Sequence, residues 1–116
     1  MSRSTKKSYI NLIDYKPQVS IGYIYKIADI KDKIYIGSTN DYKKRRKQHE
    51  KAGEDMPLHR AIKEQGIENF SFEVIKTVEY IDNEQLLITE SCYMDKYDSI
   101  TNGFNTKHSV DMFNLY

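Results

Sequence analysis

The fold is decided by the stretch Gly22-Tyr23-Ile24-Tyr25-Lys26-Ile27 and by its continuation, after a short polar segment, in Lys33-Ile34-Tyr35-Ile36-Gly37. Both stretches are rich in Ile and Tyr, residues that favour β-strands. Because the segment between them is short and polar, we predict that the two strands, over 21–27 and 33–37, form an antiparallel hairpin. Tyrosines in strands are mostly half-buried packing residues, so the hairpin by itself predicts no function.

On the C-terminal side of the hairpin, cap and breaker residues divide the chain into three helices and one further strand. The predicted elements are a helix over 42–51 that Gly53 ends, a helix from Pro57 to Gln65, a strand over 70–75, and a helix over 84–97 that Asp82 or Asn83 caps. The resulting order is ββααβα. We therefore predict an α/β (α+β) domain in which helices flank a small three-stranded antiparallel sheet.

The length of 116 residues fits one compact domain. We predict that residues 1–20 form a basic N-terminal extension and that the folded domain spans 21–116. No apolar run is long enough to span a membrane or to act as a secretory signal, so we expect an intracellular protein without a membrane partner. The single cysteine, Cys92, excludes an internal disulfide and a cysteine-based zinc cluster.

The net charge of +1 hides a strong asymmetry between the two halves of the chain. Residues 1–51 hold 13 Lys and Arg against 5 Asp and Glu, whereas residues 52–116 hold 5 Lys and Arg against 12 Asp and Glu. This split predicts a positive face and a polyanionic partner. The alternative is that the opposite charges meet in the fold and cancel.

The first predicted helix carries a dense cationic run, Lys43-Lys44-Arg45-Arg46-Lys47. Arg45 and His49 are four residues apart and therefore share one face of the helix, and Tyr42 lies on the same side. Because a guanidinium binds phosphate oxygens in a bidentate manner, this face could handle a phosphate group. The alternative is a basic helix that is simply solvated.

Glu90 interrupts the apolar stripe of the last predicted helix, four residues after Leu86 and three before Tyr93. A lone carboxylate on a buried face is costly unless it pairs with a cation or holds a metal ion. From the residues alone, Glu90 is therefore either a metal ligand or the partner of Arg45 or Arg60.

Taken in order, the two hairpin stretches and the segment Lys44-Arg45-Arg46-Lys47-Gln48-His49 resemble the GIY-YIG nuclease superfamily. That family includes phage homing endonucleases, some restriction enzymes and the incision subunit of bacterial excision repair. The resemblance extends from Ile21 to Asn105, and it is specific because five separated elements occur in the right order. It implies the GIY-YIG endonuclease fold and hydrolysis of DNA, one strand per active site.

The resemblance also implies roles for individual residues. The local string here is Gly-Tyr-Ile-Tyr rather than Gly-Ile-Tyr, so the first-motif tyrosine is Tyr25 while Gly22 stands one residue further away than the motif requires. The implied catalytic residues are Tyr25, Tyr35, Arg45, His49 and Glu90, and the implied supporting residues are Gly37, His59 and Asn105.

The chemistry that the resemblance implies needs one divalent ion per site, Mg²⁺ or Mn²⁺, with Glu90 as its ligand. Arg45 would bind the phosphate, and Tyr35 is our leading candidate for the general base, with Tyr25 or His49 assisting. The expected substrate is double-stranded or branched DNA. The residues expected to contact its backbone are Lys43, Lys44, Arg46 and Lys47.

Two other functions remain open from the sequence. The chain could be a DNA- or RNA-binding module that has kept the scaffold without cleavage, or a structural domain that uses the fold for protein contacts. The cationic helix makes the structural domain the weaker alternative. We expect target specificity, if there is any, to come from a dimer or a partner protein, because the sequence predicts no separate DNA-reading domain.

Overall fold

The computed structural model describes residues 18–111. Most of the predicted N-terminal extension therefore lies outside the described residues, and the first strand begins at Ser20, inside the range assigned to that extension. None of the helices in the described part of the chain is both long enough and apolar enough to cross a membrane.

The order of elements is ββααβα, as the sequence predicts. The strands are β1 (Ser20–Ala28), β2 (Ile34–Thr39) and β3 (Ser71–Tyr80), and the helices are α1 (Tyr42–Lys51), α2 (Pro57–Gln65) and α3 (Asn83–Lys96). A single 3-10 turn, Ile67–Asn69, links α2 to β3. β3 is longer than predicted, because its second half is largely exposed and polar and so lacks the apolar alternation of a half-buried strand.

The three strands form one antiparallel sheet in the order β2-β1-β3. Across the hairpin, Tyr25 stands opposite Gly37 and Ile27 opposite Tyr35. The pairing of β1 with β3 shifts by one residue between Ile24 and Tyr25. Such bulges redirect side chains and are common beside functional sites, and this one lies directly at Tyr25.

The sheet separates two apolar cores, because alternate residues of a strand point to opposite faces. On one face, Tyr25 and Ile27 pack with Leu58 and Ile62 of α2. On the other face, Ile24 and Ile36 pack with residues of α3. Tyr25 and its neighbours in the site therefore belong to the core beneath α1 and α2.

The helix ends follow the predicted caps with one exception. The Asp41 side chain accepts a hydrogen bond from the Lys44 amide at the start of α1, and Asp82 caps α3 through a reciprocal arrangement with Gln85. The prediction that Gly53 ends α1 is wrong, because Ala52 takes the left-handed position with φ of 50°. Gly53 thus starts the loop between α1 and α2.

Candidate active site

Tyr25 lies at the centre of the site, and its side chain is 2% exposed. Its ring occupies the space above Gly37, where a Cβ would stand 2.9 Å from Cε2 and closer still to Cζ and the phenol oxygen. Gly37 is therefore required by the close approach of the Tyr25 ring across the hairpin. The rings of Tyr35 and Tyr42 lie 6.3 and 5.7 Å from that of Tyr25, between centroids.

A pair of buried histidines supports the Tyr25 phenol. Nε2 of His49 lies 2.7 Å from the phenol oxygen, and Nδ1 of His49 lies 2.8 Å from Nε2 of His59. Both imidazoles are fully buried. Burial and then the charge of Arg45 lower the pKa of His49 to about 3, and burial lowers the pKa of His59 as well. Both rings are therefore neutral near pH 7.

Arg45 is held by the loop that follows α1. Its guanidinium donates to the Glu54 carboxylate at 2.7 Å and to the Gln48 side chain at 2.9 Å. Its positive charge lowers the pKa of both Tyr25 and Tyr35. The guanidinium is thus close enough to influence both phenols, and the Glu54 carboxylate pairs with it.

Both phenols nevertheless have a raised pKa, chiefly because of burial. The charge of Glu90 raises the pKa of Tyr35 further. Tyr35 is half-buried, and it lines a surface cleft together with Glu90 and Asn105. Its ring lies 5.4 Å from that of His49, between centroids. Either phenol therefore needs added positive charge before it can give up its proton.

Glu90 is 8% exposed on α3. The two arginines that the sequence offers as partners are engaged elsewhere, Arg45 with Glu54 and Arg60 with Asp55. Among residues 18–111, no ion pair includes Glu90; its carboxylate accepts hydrogen bonds from Ser109 and Ser38. Burial raises the pKa of this carboxyl, and the two serines oppose that rise.

The donor set around Glu90 limits what kind of metal could bind. Within the described residues, no three His, Cys, Asp or Glu side chains stand close enough to form a metal cluster. One carboxylate with neighbouring hydroxyls fits a hard ion such as Mg²⁺, which keeps several waters and takes further oxygens from a substrate phosphate. It does not fit a closed structural zinc site.

Asn105 acts through the backbone of β2. Its side-chain oxygen accepts from the Ile36 amide at 2.8 Å, and its amide nitrogen donates to the Ile36 carbonyl at 3.0 Å. These two bonds extend the pairing of β2 in the way that another strand would, and they hold the segment after α3 beside Tyr35.

The predicted DNA-contacting residues all lie on α1 and are exposed. Three of them line one surface groove, Lys43, Lys44 and Lys47. Arg46 differs from them, because its guanidinium stacks over the Phe72 ring at 4.7 Å and lies 3.5 Å from Glu50. Among residues 18–111, no ion pair includes these three lysines, whereas Arg46 has intramolecular partners.

The structure thus brings Tyr25, Tyr35, Arg45 and His49 together, and Glu90 of α3 meets Tyr35 in the cleft beside the edge strand β2. Gly37 and His59 contact Tyr25 and His49, and Asn105 lines the same cleft. Sequence reasoning missed Glu54 and Ser109, which bind Arg45 and Glu90 respectively. Both lie in loops, where no periodicity relates a residue to the site. The only signal for Glu54 is its acidic side chain shortly after a cationic helix.

Comparison with known proteins bears on the family and the fold of the chain. A family model described as the GIY-YIG catalytic domain matches residues 21–105. Two structures of the catalytic domain of the homing endonuclease I-TevI have a similar fold, one of them a mutant of that intron endonuclease. Each is 24% identical and covers 78% of this chain; the mutant has a TM-score of 0.68 over 97% of its length, and the other 0.63 over 99%. No curated protein sequence matches the chain.

Proposed function

The chain belongs to the GIY-YIG family, and on that premise we propose that it is a divalent-metal-dependent DNA endonuclease that hydrolyses phosphodiester bonds. The observation that carries the proposal is the meeting of a guanidinium, two phenols, a neutral imidazole pair and a buried carboxylate in one site. Phosphodiester hydrolysis needs a base, charge neutralisation at phosphorus and a stabilised leaving oxygen, and these groups can supply them.

Arg45 is the residue that would bind the scissile phosphate. It is fixed by α1 on one side and by Glu54 on the other, so it is already oriented before the substrate arrives. A phosphate would replace the Glu54 carboxylate, since each presents two oxygen acceptors that a guanidinium can bind in a bidentate manner. The exchange keeps the guanidinium paired while negative charge builds at phosphorus.

Glu90 would hold the single divalent ion, Mg²⁺ or Mn²⁺. Glu90 is buried next to Tyr35 and the two serines and has no cationic partner among residues 18–111, and this is the feature that fits an ion. When bound, such an ion supplies charge neutralisation at the phosphate and a lower pKa for a nearby water. Glu90 would contribute the fixed negative charge that holds the ion beside Tyr35.

Tyr35 is our assignment for the general base, with Tyr25 or His49 assisting. Tyr35 lines the cleft with Glu90 and is more exposed than Tyr25. Arg45 already lowers its pKa against the effects of burial and of the Glu90 charge. A divalent ion bound to Glu90 would neutralise its charge and so remove the effect of Glu90 on the Tyr35 pKa. The Tyr35 phenol would therefore become a better base only when ion and substrate are bound.

The substrate we propose is double-stranded or branched DNA. The exposed lysines of α1, Lys43, Lys44 and Lys47, would contact backbone phosphates, which gives affinity and salt sensitivity without sequence preference. One site cuts one strand, so a double-strand break requires a second protomer, a partner protein or a second binding event.

A supercoiled plasmid tests this function directly. We expect nicked circles before any linear product when Mg²⁺ or Mn²⁺ is present, and no product in excess EDTA. Tyr35→Phe should abolish nicking, whereas Tyr93→Phe, on a half-buried tyrosine of α3, should not. A salt-sensitive gel shift without nicking under any of these conditions would show a binding module in place of a nuclease.

A further inference from the structure

Four groups form a single line of hydrogen bonds beneath the site. The Glu54 amide donates to Nδ1 of His59 at 2.9 Å. Nε2 of His59 then lies 2.8 Å from Nδ1 of His49, and Nε2 of His49 lies 2.7 Å from the Tyr25 oxygen. Each ring nitrogen has one hydrogen-bond partner, and Nε2 of His59 also lies 4.0 Å from the Glu54 carboxylate. The position of each proton in the line therefore depends on the group at its end.

The backbone amide fixes the direction of this line. A backbone N–H can only donate, so Nδ1 of His59 must be an acceptor and carries no proton. A neutral imidazole has one N–H, which places the proton of His59 on Nε2, where it donates to His49. Nδ1 of His49 is then also an acceptor, and its proton lies on Nε2, where it donates to Tyr25.

A proton added to either histidine would break the line. A second proton on His59 would lie on Nδ1 and point at the Glu54 amide N–H, so that two donors would face each other. A second N–H on His49 would point at the Nε2–H of His59 in the same way. Full burial and the nearby charge of Arg45 disfavour such a cation in both rings.

We propose that the main-chain N–H of Glu54 sets the tautomers of His59 and His49, so that His49 donates to Tyr25. The hydroxyl proton of Tyr25 is then not used by His49, and it can be donated toward the side of the site that holds Tyr35, Arg45 and Glu90. The charges of these three residues act on the Tyr25 phenol. His49 and His59 are positioning residues in this arrangement. Neither accepts a proton from Tyr25 in the resting enzyme.

The proposal gives the two tyrosines different roles. Tyr25 is a phenol whose oxygen accepts from His49 and also interacts with the Arg45 guanidinium, and whose proton is left for the reacting groups. It can donate to Tyr35 as that phenol loses its proton, or to a substrate oxygen. Only this consequence rests on the proposed nuclease function; the tautomers themselves are a property of the free protein.

Nitrogen-15 NMR of the free protein tests the tautomers without DNA or metal. In long-range proton–nitrogen spectra at pH 7, we expect His49 and His59 each to show a protonated Nε2 and an unprotonated Nδ1. His108, which lies outside the line on the segment after α3, serves as the reference ring. A proton on Nδ1 of His49, or two tautomers of His49 in exchange, would overturn the proposal. If the plasmid is not nicked but the tautomers are as expected, the nuclease function fails and this inference stands.

Substitution of His59 tests the direction of control. His59→Phe removes the donor to Nδ1 of His49, so the Nδ1–H tautomer of His49 should appear, and kcat for nicking should fall by roughly tenfold with KM little changed. His59→Gln supplies an amide N–H in place of Nε2–H and should restore the Nε2–H tautomer of His49 and part of kcat. An unchanged His49 spectrum in folded His59→Phe contradicts the proposal. If His59→Phe does not fold, the wild-type spectrum still tests the proposal, because a proton on Nδ1 of His49 there would overturn it.

Discussion

The phenol oxygen of Tyr25 and Nε2 of His49 lie 2.7 Å apart, although β1 and α1 contribute them from positions 24 residues apart. This bond joins the first strand of the hairpin to the cationic helix, and it requires the Tyr25 ring to lie against the backbone of β2. Gly37 provides the space on that strand. The contact between Tyr25 and His49 therefore depends on a space that a single methyl group at position 37 would occupy.

Gly37→Ala should destabilise the protein and reduce nicking together. The added Cβ overlaps the Tyr25 ring, and overpacking of this kind costs about 1–3 kcal/mol of unfolding free energy. Gly53→Ala is the matched control, because a Cβ there meets nothing within 4 Å. Urea denaturation of both variants measures the difference. Equal stabilities for the two variants would show that the Tyr25 ring does not need the space.

Arg45→Ala should lower the nicking rate by about 100-fold or more, the loss typical of removing a group that stabilises transition-state charge. Arg46→Ala is the control from the same helix, since the Arg46 guanidinium stacks on Phe72 away from the phenols. We expect it to weaken DNA binding slightly and to leave kcat near wild type. Rates measured at saturating DNA separate the two effects. Similar losses of kcat in both variants would refute the role assigned to Arg45.

Glu54→Gln should tighten DNA binding. The Glu54 carboxylate pairs with Arg45 at 2.7 Å and is half exposed, so a phosphate must displace it. Exposed ion pairs contribute up to about 1 kcal/mol, which corresponds to a gain in affinity of up to about fivefold. Asp55→Asn removes the same charge from the next residue, where the partner is Arg60. Fluorescence anisotropy with a labelled duplex should show the gain for Glu54→Gln alone, and equal gains would indicate a general charge effect.

The two buried histidines should make the protein sensitive to mild acid. Their pKa values in the folded state lie below the unfolded value, for His49 at about 3, so the unfolded chain binds protons that the folded chain cannot. The stabilisation is full above about pH 6.5 and is lost as the pH falls toward the folded pKa. For His49, the loss approaches about 1.4 kcal/mol per pH unit.

Thermal or urea unfolding between pH 7 and pH 5 measures this loss. His49→Gln should make the free energy of unfolding less dependent on pH, because it removes one of the two histidines whose pKa is lowered in the folded protein. A wild-type slope in His49→Gln would mean that His49 is already charged in the folded protein.

The hairpin, the element order and the meeting of Arg45 with His49 could be predicted, because strand alternation and helix spacing are local properties of the sequence. Membership of the GIY-YIG family and its fold are confirmed. The partner of Arg45 could not be predicted, because Glu54 reaches it through a loop path that only the packed α1 and α2 define. For the same reason Ser109 was missed at Glu90. The helix over 42–51 was predicted with its observed bounds, but the residue that caps its end, Ala52, was missed, since the backbone there takes a left-handed conformation that usually favours glycine.

The measurement that tests the account most directly is the nicking of supercoiled plasmid by Glu90→Gln in a Mg²⁺ or Mn²⁺ titration. Glu84→Gln, an exposed position at the start of the same helix, is the control. We predict that Glu84→Gln nicks at the wild-type rate and that Glu90→Gln, although folded and still bound to DNA, produces no nicked circles at any metal concentration. Nicking by Glu90→Gln at the wild-type rate would contradict the assignment of the buried carboxylate as the metal ligand and, with it, the proposed mechanism.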